Sequence, residues 1–328
     1  MKLSVVTTLY RSAASIEEFY RRTIKAAGQV AGDIELVMVN DGSPDNSLDL
    51  ALELQKHDAR VIVVDLSRNF GHHKALMTGL AHASGDLVFL IDSDLEEQPE
   101  DLALFHARIA ADDCDVVYGV QKARRGSAFE RMTGGLFFAI LDMLGDRPVP
   151  RNLVTSRLMR RDYVNALIRH RDREFVISDL WQVTGFRQIP ITVKKLSMSP
   201  STYSLQRRIE MAIKHITTTS TRLLYLVLYT GLAIFGLSIT VILYFLGRYF
   251  TAGIGVDGFT SEIVSIWFLG GLITLILGIL GIYIAGIMAE TKRRPYIIIR
   301  RVYRSPSAAN TASSPALEAL RDDAQIDE

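Results

Sequence analysis

Two long stretches without a charged residue, 223–247 (LLYLVLYTGLAIFGLSITVILYFLG) and 263–289, set the limits on what this 328-residue chain can fold into. A bilayer core about 30 Å thick needs about 20 apolar residues as a helix, and both stretches exceed that. Buried core helices rarely run so far without a charge, so the pattern predicts a two-helix transmembrane hairpin over 223–289. The loop between them, Arg248 to Glu262, carries one Arg, one Asp and one Glu. Arg207, Arg208, Lys214 and Arg222 precede the first stretch, and Lys292, Arg293, Arg294, Arg300, Arg301 and Arg304 follow the second. That asymmetry places both flanks in the cytoplasm and the short loop outside. The N-terminus, one Lys followed by a β-type run, has no signal-peptide pattern and agrees with a cytoplasmic N-terminal domain.

The rest of the chain divides around this hairpin. Residues 1–203 read as a soluble domain. Within 204–222, Leu205, Ile209, Ala212, Ile213 and Ile216 recur at helical spacing while Arg207, Arg208 and Lys214 fall elsewhere on the wheel, which predicts an amphipathic helix on the inner leaflet. Residues 290–304 form a basic juxtamembrane segment, and the Ser/Ala/Pro/Asp-rich tail 305–328 is expected to be disordered. With 37 Lys+Arg against 36 Asp+Glu there is no uniformly basic surface, so nucleic acid is not expected as a partner. A single cysteine, Cys114, excludes a disulfide framework and a cysteine-rich zinc site, and is expected to be an inert small residue.

In the first 95 residues short apolar runs alternate with helical stretches: LSVVTTLY, IELVMVN, VIVVDLS and DLVFLID, with helices around Ile16–Ala27, Ser47–Gln55 and Lys74–Ala83 between them. Such runs joined by crossover helices indicate parallel strands buried on both faces, an α/β open sheet of the nucleotide-binding kind. Ligands bind such sheets beyond the carboxyl ends of the strands. Those ends carry Thr7, Thr8 and Tyr10; Asn40, Asp41, Gly42 and Ser43; Ser67, Arg68 and Asn69; and Asp92, Ser93 and Asp94. Asp92 and Asp94 stand two residues apart after the most apolar strand, where a bend can aim both carboxylates at one Mg²⁺ or Mn²⁺ held jointly with substrate phosphates. Asp-x-Asp is also a common turn and helix-cap element; a buried strand end, with Asp41 ending another strand, favours the metal reading.

VNDGSPDNS, LSRNFGHHKALMTGL and DLVFLIDSDLEEQPE, in this order, resemble the successive signatures of family 2 inverting glycosyltransferases. YGVQKARRGSAFERMTGGLFF and the two apolar stretches followed by ETKRRPYIIIRRVY narrow the resemblance to the membrane-anchored polyisoprenyl-phosphate glycosyltransferases, similar to dolichol-phosphate mannose synthase and its bacterial undecaprenyl-phosphate counterparts. It covers about residues 3–303. It implies a GT-A-like sheet, a nucleotide diphosphate sugar as donor and a polyprenyl phosphate as acceptor. It also implies a bacterial inner membrane and inverting, metal-dependent transfer, and leaves a homo-oligomer open.

Carried over by position, the resemblance implies that Asp41, Thr8 and Tyr10 line the nucleotide pocket and that Arg68, Asn69 and Gly71 order its floor. Asp92 and Asp94 would meet the diphosphate through the metal, with Glu96 standing where relatives usually have Gln. The chain also departs from the pattern. Thr8 and Arg11 replace a common Pro and Asn, and Gln121 replaces an Arg, which leaves Arg124 and Arg131 as the expected contacts for the acceptor phosphate, with Lys122 and Arg125 on a solvated face. Thr155-Ser156-Arg157-Leu158 replaces Asp-Phe-Arg-Leu, so no carboxylate stands at that point, and Arg157 is a candidate to stabilise the leaving diphosphate or to form a structural ion pair. A lipid phosphate is already anionic and needs positioning more than deprotonation. His72 and His73 could touch phosphate, with at least one expected to be solvated. Trp181 is expected to pack on the membrane-facing side of the domain, and Thr202 precedes Tyr203 where relatives have Lys. A processive polysaccharide synthase is disfavoured, since no Gln-x-x-Arg-Trp occurs and two spans are few for a polymer channel. A non-catalytic nucleotide-binding scaffold is disfavoured by Asp41, Asp92 and Asp94 occurring together.

Overall fold

The computed structural model describes residues 1–121, 152–196 apart from 171 and 174, scattered positions between 224 and 243, and 259–305 apart from 293, 294 and 296. The predicted alternation appears as β1 (Lys2–Leu9), α1 (Ile16–Gly28), β2 (Asp33–Asn40), α2 (Ser47–His57), β3 (Val61–Leu66), α3 (His72–His82), β4 (Leu87–Leu90) and α4 (Leu102–Ala111). After it come β5 (Val116–Gln121), β6 (Leu153–Arg160), α5 (Arg161–Leu167), α6 (Ile177–Val183), β7 (Gln188–Val193), α7 (Phe259–Thr291) and β8 (Ile299–Tyr303).

All eight strands form one sheet in the order β7-β5-β6-β4-β1-β2-β3-β8. Strands β1 to β4 run parallel, as the apolar runs predict; β6 is antiparallel to both β4 and β5, and β8 antiparallel to β3. The sheet is buried on both faces. On β1, Leu3, Val5 and Leu9 point into one apolar cluster with Leu36, Met38, Phe89 and Phe105, while Val6 faces the other with Val37, Val39, Val64 and Leu80. Gly79 lets α3 lie close on β1 and β2, where any side chain would meet Val6 and Val39.

Two consequences position the site. The parallel strands β1, β2 and β4 end together, collecting Thr8, Asp41 and Asp92. Because β6 runs the other way, its beginning meets their ends: the register Leu90↔Arg157, carried two residues on, sets Asp92 opposite Thr155.

The chain forms two compact units, one comprising 1–126, 150–202 and 294–328, the other 127–149 and 203–293. In the second, α7 is 33 residues long, and its stretch Phe268–Met288, of mean hydropathy 2.4 and with none of it buried, is long and apolar enough to cross a membrane. The described positions between 224 and 243 are helical. The predicted amphipathic segment 204–222 lies outside the described residues, as do Arg124 and Arg131. The basic segment 290–304 is more than a juxtamembrane flank, since its residues Ile299–Tyr303 belong to the first unit as the edge strand of the sheet.

Candidate active site

The site is built on the ends of β1, β2 and β4 and the start of β6. Asp41 follows β2 and is 2% exposed. Its Oδ1 accepts the Phe70 N–H at 2.7 Å and its Oδ2 the Gly71 N–H at 3.1 Å, so this carboxylate shapes the loop entering α3. Burial raises its pKa above the ordinary carboxylate range, against the opposing pull of those two N–H groups. Gly42 has φ +59°, and a Cβ there would lie 2.5 Å from the backbone nitrogen of Asn69; only glycine lets the two loops approach so closely. Gly71, at φ +99°, turns the chain into α3. Arg68 and Asn69 are exposed on this loop, with the Arg68 guanidinium 4.2 Å above the Phe70 ring.

The β1 end is held from within. Ser93 Oγ donates to the Thr8 carbonyl at 2.8 Å, and Thr8 Oγ1 lies 3.1 Å from His72 Nδ1. Tyr10, 47% exposed, offers its ring at the rim beside Arg11, whose φ is +57°. His72, the first residue of α3, extends exposed toward the centre of the site, with Nε2 3.5 Å from Asp92 Oδ1.

Around Asp92 the acidic groups crowd. Its Oδ2 accepts the Thr155 hydroxyl at 2.7 Å, while its Oδ1 is buried and, among the described residues, has no hydrogen-bond partner. The loop then doubles back through Leu95, a left-handed residue at φ +61°, a conformation costly for a branched side chain. That turn leaves Asp94 exposed, its Oδ1 accepting the Glu96 N–H, and sends Glu97 inward. Glu97, 2% exposed, accepts the Thr155 N–H at 2.9 Å and the Ser156 N–H at 2.7 Å, one on each oxygen. Burial, reinforced by the neighbouring acids, raises both Asp92 and Glu97. Lys195, beyond β7, balances part of this charge with its Nζ 3.1 Å from Glu96, and these acids raise its own pKa against burial. Neither Glu97 nor Lys195 was singled out from sequence. Two adjacent acids in EEQPE and two lysines in ITVKKLS carry no spacing that tells which member turns inward.

Arg157 stands two residues along β6 from Thr155 and is core: 1% exposed, its guanidinium stacked 2.9 Å over the centre of the Trp181 ring, Nη2 without a hydrogen-bond partner among the described residues. Burial works against its charge, and Tyr163 and Glu97 partly restore it. Trp181 is thus a buried platform for Arg157. Cys114 is buried, and burial pushes its thiol up, which fits an inert residue.

Among the described residues no three acidic or histidine side chains converge as a ready-made metal cage. Two acids at a strand end, one with a buried oxygen that has no hydrogen-bond partner among the described residues, nonetheless fit Mg²⁺ or Mn²⁺, which proteins commonly hold by one or two carboxylates while substrate phosphates and water complete the shell.

The model of the Glycosyl transferase family 2 matches residues 4–168, which include the ends of β1, β2 and β4 and the start of β6. A protein of Mycobacterium tuberculosis is 44% identical over 319 residues, covering 95% of this chain and 93% of its own. The uncharacterized glycosyltransferase YkcC of Bacillus subtilis is 32% identical over 309 residues, covering 92% of this chain and 94% of its own. Among solved structures, the mannosyltransferase PcManGT from Pyrobaculum calidifontis, in complex with GDP-Man and Mn²⁺, aligns over 89% of this chain and 86% of its own at TM-score 0.47 and 17% identity. Glucosyl-3-phosphoglycerate synthase from Mycobacterium tuberculosis, in complex with UDP, aligns over 67% of this chain and 79% of its own at TM-score 0.44 and 21% identity.

Proposed function

The chain belongs to glycosyl transferase family 2 and takes its sugar from a nucleotide donor, and on that premise we propose that its acceptor is a polyisoprenyl phosphate, undecaprenyl phosphate in a bacterial inner membrane, used on the cytoplasmic face. The observation that carries this reading is the path of the chain around α7. Strands β7 and β8 lie in one sheet, on one side of any membrane, yet α7 between them is long and apolar enough to cross. If α7 crosses, the chain must cross a second time between Val193 and Phe259. The uncharged stretch 223–247 is the segment there with the length to do it. A two-span hairpin with both ends on one side follows from that condition, and the positive flanks support the cytoplasm as that side.

The chemistry suits such an acceptor. Its phosphate oxygen attacks the anomeric carbon on the face opposite the nucleoside diphosphate; the new carbon–oxygen bond forms as the old one breaks, the diphosphate leaves with the electron pair, and the configuration inverts. The attacking oxygen is already anionic, so a base is not required, which accords with Thr155 rather than an acid beside Asp92. Mg²⁺ or Mn²⁺ on Asp92 and Asp94, with Glu96 at its margin, would supply neutralisation of charge on the leaving diphosphate. Asp41 and Thr8 hold the nucleotide pocket, with Tyr10 at its rim and Arg68, Asn69 and Gly71 at its floor. Arg157, closed off against Trp181, acts on the leaving group only through its field. Arg124 and Arg131 take the acceptor phosphate, where a dianion calls for more than one cation.

Purified protein given a panel of radiolabelled nucleotide sugars and undecaprenyl phosphate should yield label in organic-extractable lipid. Label appearing only in water-soluble product would overturn the acceptor. In intact cells a cysteine placed at Gly255 should react with an impermeant thiol reagent and one at Ser307 should not; the reverse pattern would place the site outside.

A further inference from the structure

The contact between Thr155 and Asp92 carries an inference about how the acidic end of β4 is aimed. It rests on the reading of Asp92 and Asp94 as metal-holding residues.

A carboxylate at a strand end can rotate about its last bond, and a freely turning pair of oxygens is a poor site for a cation that demands fixed geometry. Here one oxygen is pinned: Asp92 Oδ2 takes the Thr155 hydroxyl at 2.7 Å. That hydroxyl has a single proton, and Asp92 receives it. Thr155 is itself fixed, because the buried Glu97 accepts its backbone N–H on one oxygen and that of Ser156 on the other. Glu97 reaches β6 only because the chain reverses at Leu95 in a left-handed conformation. The buried Asp92 Oδ1 is left without a hydrogen-bond partner among the described residues, with His72 Nε2 3.5 Å away, although nearly all buried polar atoms have one. A second carboxylate at position 155 would repel Asp92; a hydroxyl donates to it.

We propose that Thr155 is a positioning residue, clamped through its backbone by Glu97, which locks the Asp92 carboxylate so that Oδ1 is presented to a divalent cation. Thr155 touches neither the sugar nor the diphosphate in this role. Partners of this kind that orient a ligating side chain typically change metal affinity by about 10–100-fold when removed.

The test is Mn²⁺ binding by the full-length protein in detergent, followed by loss of the free-ion paramagnetic resonance signal, with melting temperatures recorded in parallel. Thr155→Val keeps the shape and removes the hydroxyl, and should bind Mn²⁺ about tenfold more weakly; Thr155→Ser restores the donor and should stay within about twofold of wild type. Thr155→Ala, also without a hydroxyl, gives the same reading if the valine variant does not fold. The Mn²⁺ concentration for half-maximal sugar transfer should shift by the same factor. Wild-type affinity in the valine or alanine variant, with wild type itself binding, overturns the positioning role and leaves the metal reading standing. No Mn²⁺ binding by wild type, either alone or with a nucleoside diphosphate present and the nucleotide's own Mn²⁺ binding subtracted, would overturn the metal reading and the inference with it.

Discussion

The two halves of the site are held by different means. On the proposed nucleotide side, around β1, β2 and β3, loops are fixed by glycines and by backbone N–H groups converging on one carboxylate: Asp41 takes two N–H bonds, Gly42 makes room for the close approach of the loops, and Gly71 supplies the positive-φ turn. On the other side, at β4 and β6, Glu97 likewise takes two backbone N–H bonds, but further order comes from side chains on one another: Thr155 on Asp92, Lys195 on Glu96, Arg157 on Trp181. The first arrangement is tolerant of sequence change in the loop that donates, because backbone donors are present whatever the residue. The second concentrates charge, raising Asp92 and Glu97 together, and depends on a few identities from distant segments. Binding should therefore be robust on the nucleotide side and chemistry fragile on the acidic side.

The largest effect should come from the fragile half. Asp94→Asn should lower sugar transfer about a hundredfold or more, the scale of losing a main electrostatic stabiliser, with the melting temperature unchanged because Asp94 is exposed. Near-normal turnover of this variant in saturating Mn²⁺ and also in EDTA would remove the metal role. A smaller effect of another kind should follow Asp41→Asn. One acceptor oxygen then serves two N–H groups, the loop carrying Asn69 to Gly71 loosens, and nucleotide affinity measured by calorimetry should fall about tenfold, a cost of about 1.4 kcal/mol, while kcat stays near wild type. A fall in kcat as large as that for Asp94→Asn would erase the distinction between the halves.

How much of this was legible in the sequence follows the same division. Parallel strands buried on both faces announce themselves as apolar runs, and the residues after them collect in one place whatever the details; Thr8, Asp41 and Asp92 were found that way. The acidic half was only partly legible. That Thr155 meets Asp92 depends on β6 running antiparallel to β4, and β6 is separated from β4 by more than sixty residues of sequence. The inward turn of Glu97 depends on the conformation of Leu95, which no residue type signals. The sequence offered Arg157 either for the leaving group or for a structural ion pair; its side chain lies on the buried face of β6, in the layer of Met159 and Trp181. Strand β8 was hidden because IIIRRVY reads first as a basic flank; it is a strand because an apolar edge on β3 needs covering.

Stability of the nucleotide half against acid gives a third, smaller expectation. Asp58, at the turn from α2 into β3, accepts Tyr20 Oη at 2.7 Å and pairs with Arg60. Burial alone would raise its carboxyl, but these bonds bring it to about 2. Its unfolded value is about 3.9, so the folded carboxyl is the stronger acid and its contribution is full above about pH 4 and lost as pH falls toward 2. With Arg60 partly exposed, that contribution is about 1 kcal/mol after screening. Asp58→Asn should therefore show a lower stability than wild type at pH 7 and the same stability near pH 2. A difference that persists at pH 2 would assign the effect to packing.

The smallest effect is expected at the edge beside that half, where two kinds of contact can be told apart. Strand β8 is joined to β3 by ladder hydrogen bonds and continued by Ser67 N–H to the Ile298 carbonyl at 2.9 Å. Arg300 adds a hydrogen bond to the Ser67 carbonyl and an ion pair with Asp65 at 3.7 Å, from a side chain that is 62% exposed. Asp65 does not depend on that pair, since Asn40 Nδ2 donates to its other oxygen at 2.8 Å. A long, exposed ion pair is worth a few tenths of a kcal/mol at most, and water readily satisfies the freed carbonyl. Arg300→Ala should therefore shift the melting temperature by about a degree or less and leave hydrogen exchange of the β3–β8 amides unchanged. If those amides exchange quickly in the variant, the edge strand hangs on this one side chain, and the nucleotide side is as dependent on single residues as the acidic side.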